Sequence, residues 1–261
     1  MNNPCRSPSG WTAMPRRPRP HHPGPLWPCW LLALLLLPGL AAAMPYVPPS
    51  YTAEYQASKM GLSVVARITL SREGEYLRYR AQIRPTGVLS WVLSDEIIEQ
   101  SIFRITPARL QSLEYLYQHM SDDRKRLTES RFDWERGEVR GTRNGRSFSL
   151  EIPPDAVDRF TLQLSMIQAL VKGRDRFSRT IVDKDRLTTY HFQVGAAQRI
   201  DTPLGRLEAI PVIRHIEDRD TTVSTWFAPR LNYLPVRLEQ MQGDERLVLN
   251  LRTLEWHDTG K

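Results

Sequence analysis

Residues 62–83 carry the pattern that most restricts this chain. Leu62, Val64, Ala66, Ile68 and Leu70 alternate with Ser63, Val65, Arg67 and Thr69. Leu77, Tyr79, Ala81 and Ile83 alternate with Tyr76, Arg78, Arg80 and Gln82. A period of two sends successive side chains to opposite faces, so each run is a strand with one buried face. Glu73-Gly74 between them predicts an antiparallel hairpin. The same reading predicts strands near 51–59, 95–105, 111–119 and 125–135. Two more, 138–143 and 146–152, flank Asn144-Gly145, which accepts the positive φ of a type I′ turn. Further strands are expected near 177–184, 187–194, 206–217, 222–228, 234–240 and 245–255, the last two joined by a turn at Gly243-Asp244. No helical pattern separates successive strands, so βαβ units are disfavoured and an antiparallel meander or barrel is favoured.

The exception is 156–171, where Val157, Phe160, Leu164, Ile167 and Val171 recur at helical spacing and Met166 and Leu170 widen the stripe. Pro153-Pro154 ends the strand before it, Asp155 is the expected cap, and Lys172 and Gly173 suit the other end. Arg159, Thr161, Gln163, Ser165 and Gln168 form the expected polar face. The fold class expected is mainly β (α+β): an antiparallel curved sheet or half-open barrel with one central amphipathic helix laid on it.

The first 43 residues follow different rules. They contain Arg6, Arg16, Arg17 and Arg19, no acidic residue, and both cysteines, Cys5 and Cys29. A basic n-region, an apolar run from Trp30 to Leu37, the Pro38-Gly39 break and Ala41-Ala42-Ala43 have the form of a secretory signal with cleavage between Ala43 and Met44. Met14 offers a second start. A membrane anchor is the competing reading, but a spanning helix needs about 20 apolar residues and this run is shorter. The expected organisation is a signal at 1–43, a proline-rich lead-in at 44–50 and a single β-rich domain at 51–257. The expected location is the periplasm, with no transmembrane segment in the mature chain.

Cleavage at Ala43 would leave no cysteine, which removes disulfides, thiol catalysis and cysteine-ligated metal. It would also remove four of the seven net positive charges. The residual clusters, Arg124-Lys125-Arg126 and Lys172, Arg174, Arg176 and Arg179, are short and interrupted by acids. They suit a solvated surface or an anionic envelope surface, and nucleic acid is not an expected partner.

The last third carries a resemblance. Thr202-Pro203-Leu204-Gly205-Arg206-Leu207-Glu208-Ala209 is a glycine turn entering a strand; Thr225-Trp226-Phe227-Ala228-Pro229 and Leu234-Pro235-Val236-Arg237-Leu238 follow. With Tyr51, Tyr55 and the mid-chain helix, this order resembles the domain of unknown function 3108 family over about residues 50–257. The resemblance implies an exported β-rich protein of a Gram-negative envelope with a curved sheet, and it implies no catalytic residue. Read physically, Trp226 and Arg237 are either strand architecture or the mouth of a ligand cleft, stacking on and pairing with an anionic group.

Familiar catalytic patterns are missing. There is no H-E-x-x-H, G-x-S-x-G, P-loop or G-x-G-x-x-G. His119, His191, His215 and His257 are too far apart in sequence for a local metal motif. Asp133 and Glu135 share a strand face, but the Glu135–Glu138 turn makes them a solvated hairpin end. No catalytic residue, metal ligand or cofactor is expected. Three functional readings stay open. The first is non-enzymatic binding of a lipid, glycan or envelope component on a concave β surface. The second is a structural or assembly partner of another periplasmic protein. The third is a hydrolase assembled from distant residues, needing His191 or His215 beside a carboxylate and a nucleophile.

Overall fold

The structure is a computed structural model that describes residues 44–59, 62–86, 95–122, 124–216 and 220–257. The expected signal segment and Ala43 lie outside the described residues; Met44 is exposed. Eight strands come first: β1 (Tyr51–Lys59), β2 (Leu62–Glu73), β3 (Tyr76–Thr86), β4 (Glu96–Ile105), β5 (Leu110–Ser121), β6 (Arg124–Asp133), β7 (Glu138–Arg143) and β8 (Arg146–Glu151). After the short β9 (Val157–Asp158) and the helix α1 (Thr161–Val171) come β10 (Arg176–Asp183), β11 (Arg186–Val194), β12 (Gln198–Thr202) and β13 (Gly205–Ile216). The last three strands are β14 (Thr221–Ala228), β15 (Leu234–Gln242) and β16 (Glu245–Trp256).

These strands form one large curved sheet that does not close, in the order β8-β7-β6-β5-β4-β3-β2-β1-β16-β15-β14-β13-β11-β10-β9, with β12 pairing β13 alone. Every pairing is antiparallel except β9 with β10. The alternation in 62–83 places Ala66, Ile68, Leu70, Leu77, Tyr79 and Ala81 in the core, while Arg67, Arg78 and Arg80 point the other way. Asn144 (φ 49) and Gly145 (φ 80) both take the positive φ expected of the β7–β8 turn, and Asn144 Oδ1 accepts from Leu127 N at 2.9 Å.

The core is the space between the sheet and α1. Tyr51, Tyr55, Phe103, Leu164, Ile167, Phe227, Leu234 and Leu251 belong to one buried cluster, so strands from both ends of the chain share the helix as a centre. A second cluster brings Val182 of β10 against Phe132 of β6 and Val139 of β7. Arg143, at the end of β7, pairs with Asp185 in the β10–β11 turn at 2.8 Å. The sheet ends therefore meet through side chains and not through a backbone ladder.

Two expectations need correction. The helix was expected over 156–171 with Asp155 as its cap; it begins at Thr161, because Val157–Asp158 is drawn into a parallel pair with Ile181 and Val182. Asp155 is exposed, and Asp158 does the capping. The expected polar face is also largely inside: Thr161, Ser165 and Gln168 are buried, while Val171 of the apolar stripe is 43% exposed. A helix that a curved sheet largely encloses buries polar groups as well as apolar ones, and these find partners: Ser165 Oγ donates to Leu162 O at 2.8 Å and Gln163 Nε2 to Tyr79 Oη. The proline-rich lead-in at 44–50 is anchored to the domain. Tyr46 donates to Asn232 Oδ1 at 3.2 Å and lies edge-on to Tyr233. No helix among the described residues is long and apolar enough to cross a membrane, which says nothing about crossing by strands.

Candidate functional site

The site is organised by the bend that precedes α1. Asp158 is 0% exposed. Its Oδ1 accepts from Phe160 N and Thr161 N, each at 2.7 Å, and its Oδ2 from Ser101 Oγ at 2.6 Å. Asp158 N in turn donates to Thr161 Oγ1 at 3.2 Å, and Ser112 Oγ lies 3.0 Å from Thr161 Oγ1. This is a reciprocal cap built with strand side chains. Burial pushes the Asp158 carboxyl upward, against the pull of these hydrogen bonds.

Arg159, next in the chain, carries a positive charge into a partly buried polar group. Burial opposes that charge, and Glu99, Tyr115 and Asp183 more than offset it, so its pKa is raised. Tyr115 Oη donates to Glu99 Oε1 at 2.6 Å. Asp183 Oδ1 is buried without a hydrogen-bond donor and faces Arg159 Nη1 at 3.7 Å. Glu99 is pushed up, first by burial; Arg159 and Tyr115 oppose the shift, and Asp158 and Asp183 add to it.

Arg159 also lines a cavity of about 190 Å³ between α1 and the sheet. Tyr55, Ile68, Leu162, Met166, Leu238 and Leu249 make most of its wall, and Gln163 and Thr225 add polar points. Because Glu99 and Asp183 already compensate Arg159, the cavity offers apolar surface with a hydrogen-bonding rim and no net positive charge. A larger hollow of about 590 Å³ runs along β4–β7. Both of its cations are paired, Arg131 with Glu114 at 3.5 Å and Arg140 with Glu138 at 2.8 Å, and Glu129 and Asp133 add further carboxylates.

Trp226 and Arg237 stand side by side as cross-strand partners on β14 and β15. Neither is among the residues lining the helix-side cavity; their neighbours Thr225 and Leu238 are. Arg237 Nε donates to Asn250 Oδ1 at 3.1 Å and its Nη2 to Asp201 O, tying β12 to the sheet. Trp226 Nε1 is buried without a partner. His191 and His215 are exposed; His215 Nδ1 lies 2.9 Å from Thr222 Oγ1, and among the described residues no hydrogen bond or ion pair joins either histidine to a carboxylate. His119 does pair with a carboxylate, that of Asp95. Asp133 Oδ1 accepts from Glu135 N and Arg136 N at 3.1 and 3.0 Å, as a turn residue does. No group of three or more metal-binding side chains occurs among the described residues.

Sequence reasoning missed Glu99 and Arg159 as a pair. A signal for Glu99 was present: at two-residue spacing it shares one face of its strand with Ile97, Ser101 and Phe103, the last two buried, where a charge needs a partner. Arg159 had none, since it reads as one more polar helix residue.

A comparison with curated proteins found no match. Among solved structures, a β-barrel-like protein of domain of unknown function DUF1849 from Brucella abortus is similar at 13% identity, covering 82% of this chain and 100% of that one with a TM-score of 0.56. That likeness concerns the fold alone. A candidate exported protein with a YmcC-like fold from Bacteroides fragilis aligns at 10% identity over 81% of this chain and 97% of its own, with a TM-score of 0.27, too low to support an argument. The family model for DUF3108, a protein of unknown function, matches residues 50–250, nearly the whole curved sheet and its helix, and the chain belongs to that family.

Proposed function

We propose that this is a non-enzymatic binding protein of the periplasm, exported by a signal cleaved between Ala43 and Met44, that takes the apolar end of an envelope lipid or glycolipid into its concave surface beside α1. The observation that carries the reading is the apolar cavity of about 190 Å³ with Arg159 and Gln163 at its wall. A dry cavity of about 150 Å³ holds a benzene-sized molecule, so this one suits a ring or a short acyl end. The compensated charge of Arg159 favours a neutral, hydrogen-bonding head over an anionic one. In this reading Trp226 and Arg237 back the wall from its outer side and hold the β12 hairpin in place. Thr225 and Leu238 make the contact.

The test is native mass spectrometry of the chain purified gently from the periplasm, beside a Met166→Trp variant that fills the cavity. The expected result is a small apolar mass released on denaturation from the parent and missing from the variant, with matching circular dichroism. A bare parent mass, repeated under several gentle conditions, would reject the ligand and favour a periplasmic protein partner.

A further inference from the structure

A second cavity lies across the helix, lined by Ser165, Gln168 and Lys172 rather than Leu162 and Met166. It holds about 280 Å³ and is lined by Arg109, Lys172 and Arg179 together with Asp155, Ser165 and Gln168. Three cations face one carboxylate. None of the three cations forms an ion pair within 4 Å among the described residues. Arg109 Nε is buried with no acceptor, an arrangement that native structures rarely leave unanswered. Both arginines stack on rings instead: Arg109 over Trp134 at 5.1 Å and Arg179 over Phe177 at 5.8 Å.

The arrangement is also pre-built. Thr106 Oγ1 donates to Arg109 O at 2.9 Å and accepts from Arg109 N at 3.2 Å, which fixes the backbone before β5. Trp134 Nε1 donates to Ser112 O at 2.7 Å, which fixes the ring beneath Arg109. Ser165 Oγ and one Gln168 Nε2 hydrogen are committed to Leu162 O and Tyr46 O, and Arg179 Nη1 donates to Ser178 O at 2.8 Å, which leaves Arg109 Nε and the other cation donors to face the cavity. Asp155 and Arg174 both act electrostatically on Arg179, the carboxylate more strongly. Cations that outnumber their carboxylate in a partly buried cavity are costly unless an anion completes them.

We infer that this cavity is a binding site for a dianionic phosphate group. Three cations against Asp155 leave two positive charges, and a phosphate monoester carries about −1.5 to −2 at neutral pH. A carboxylate or a phosphodiester would leave one cation unmatched. The site is separate from the helix-side cavity and does not depend on that cavity being filled.

The test is thermal unfolding of the full chain titrated with inorganic phosphate, with chloride at equal ionic strength as the reference. A saturable rise in Tm with phosphate only is expected. Arg109→Gln with Arg179→Gln should weaken the apparent affinity at least tenfold, while Arg199→Gln, on β12, should leave it unchanged. If the double variant fails to fold, Lys172→Gln, at an exposed position, should weaken binding several-fold. Equal rises in phosphate and chloride, or an unchanged response in the Arg109/Arg179 or Lys172 variants, would overturn the site. Two further probes separate the sources of the phosphate. Glucose 6-phosphate competing with inorganic phosphate indicates a soluble ester. Cosedimentation with phosphatidic acid vesicles, and not with phosphatidylcholine vesicles, indicates a lipid headgroup.

Discussion

Strands β1–β3 and strands β4–β6 are neighbours in one sheet, yet they present different chemistry to the helix. The first wall offers Ala53, Ala66, Ile68, Leu70 and Ala81, with tyrosines whose hydroxyls bond locally, as Tyr51 Oη does with Tyr79 Oη at 2.9 Å. The second offers Ser101, Ser112, Thr128 and Ser130, all buried, beside Glu99 and Tyr115. The difference follows the chain that each wall receives. The apolar wall meets the side chains of α1, whereas the polar wall meets the backbone entering it, and a buried backbone bend brings N–H groups that need acceptors. Ser101 and Ser112 are small enough to let that bend approach and polar enough to bond the aspartate that caps it.

The comparison can be broken on either wall. Leu164→Ala removes a fully buried side chain of α1 from the apolar cluster and should cost about 3 kcal/mol, read from the urea midpoint. On the polar side, Asp158→Ala should cost about 2–3 kcal/mol, since the helix loses its cap and Ser101 loses a charged acceptor. Asp158→Asn keeps the capping oxygen and should recover most of that loss; equal losses in the two variants would count against the capping role. Tyr51→Phe removes only one partner of Tyr79, which still receives Gln163 Nε2, so about 1 kcal/mol is expected.

The finest distinction is in pH dependence. Glu99 and Asp158 both have carboxyls raised by burial in the folded state. A raised carboxyl binds its proton more tightly when folded. Its stabilisation is complete below the ordinary values near about 4 and is lost as pH rises through the folded values. The urea midpoint should therefore drop as pH rises from the ordinary carboxylate range through the raised folded values, and Glu99→Gln should flatten that drop while keeping an acceptor for Tyr115. An identical slope in the variant would remove Glu99 from the account.

The strand plan was legible because one buried face writes a period of two into the sequence, and because Asn144-Gly145 leaves little choice of turn. β12 was missed: Gln198–Thr202 has Ile200 as its single apolar residue and pairs with β13 alone. The helix start was misplaced for a different reason. Pro153-Pro154-Asp155 is a sound local signature, but Asp158 draws on Ser101 and Ser112, which are 57 and 46 residues away, and no local pattern records such partners. The site was less legible than the fold. The Trp226 and Arg237 pairing follows from strand register, whereas Arg109, Arg159 and Glu99 acquire meaning only once the curved sheet places them around α1.

Apart from β1 with β16, each antiparallel neighbour in the sheet is joined along the chain directly or past one short element. Residues 51–57 pair with residues 249–256. A chain that is delivered N-terminus first to the compartment where it folds presents the first of these segments long before the last. As it arrives, the first eight strands can assemble as successive hairpins, but β1 keeps an unpaired edge until the final strand follows. An open strand edge is the part of a β protein most prone to adhere to other chains. The time spent waiting for that late partner is therefore the interval in which this chain most needs a chaperone.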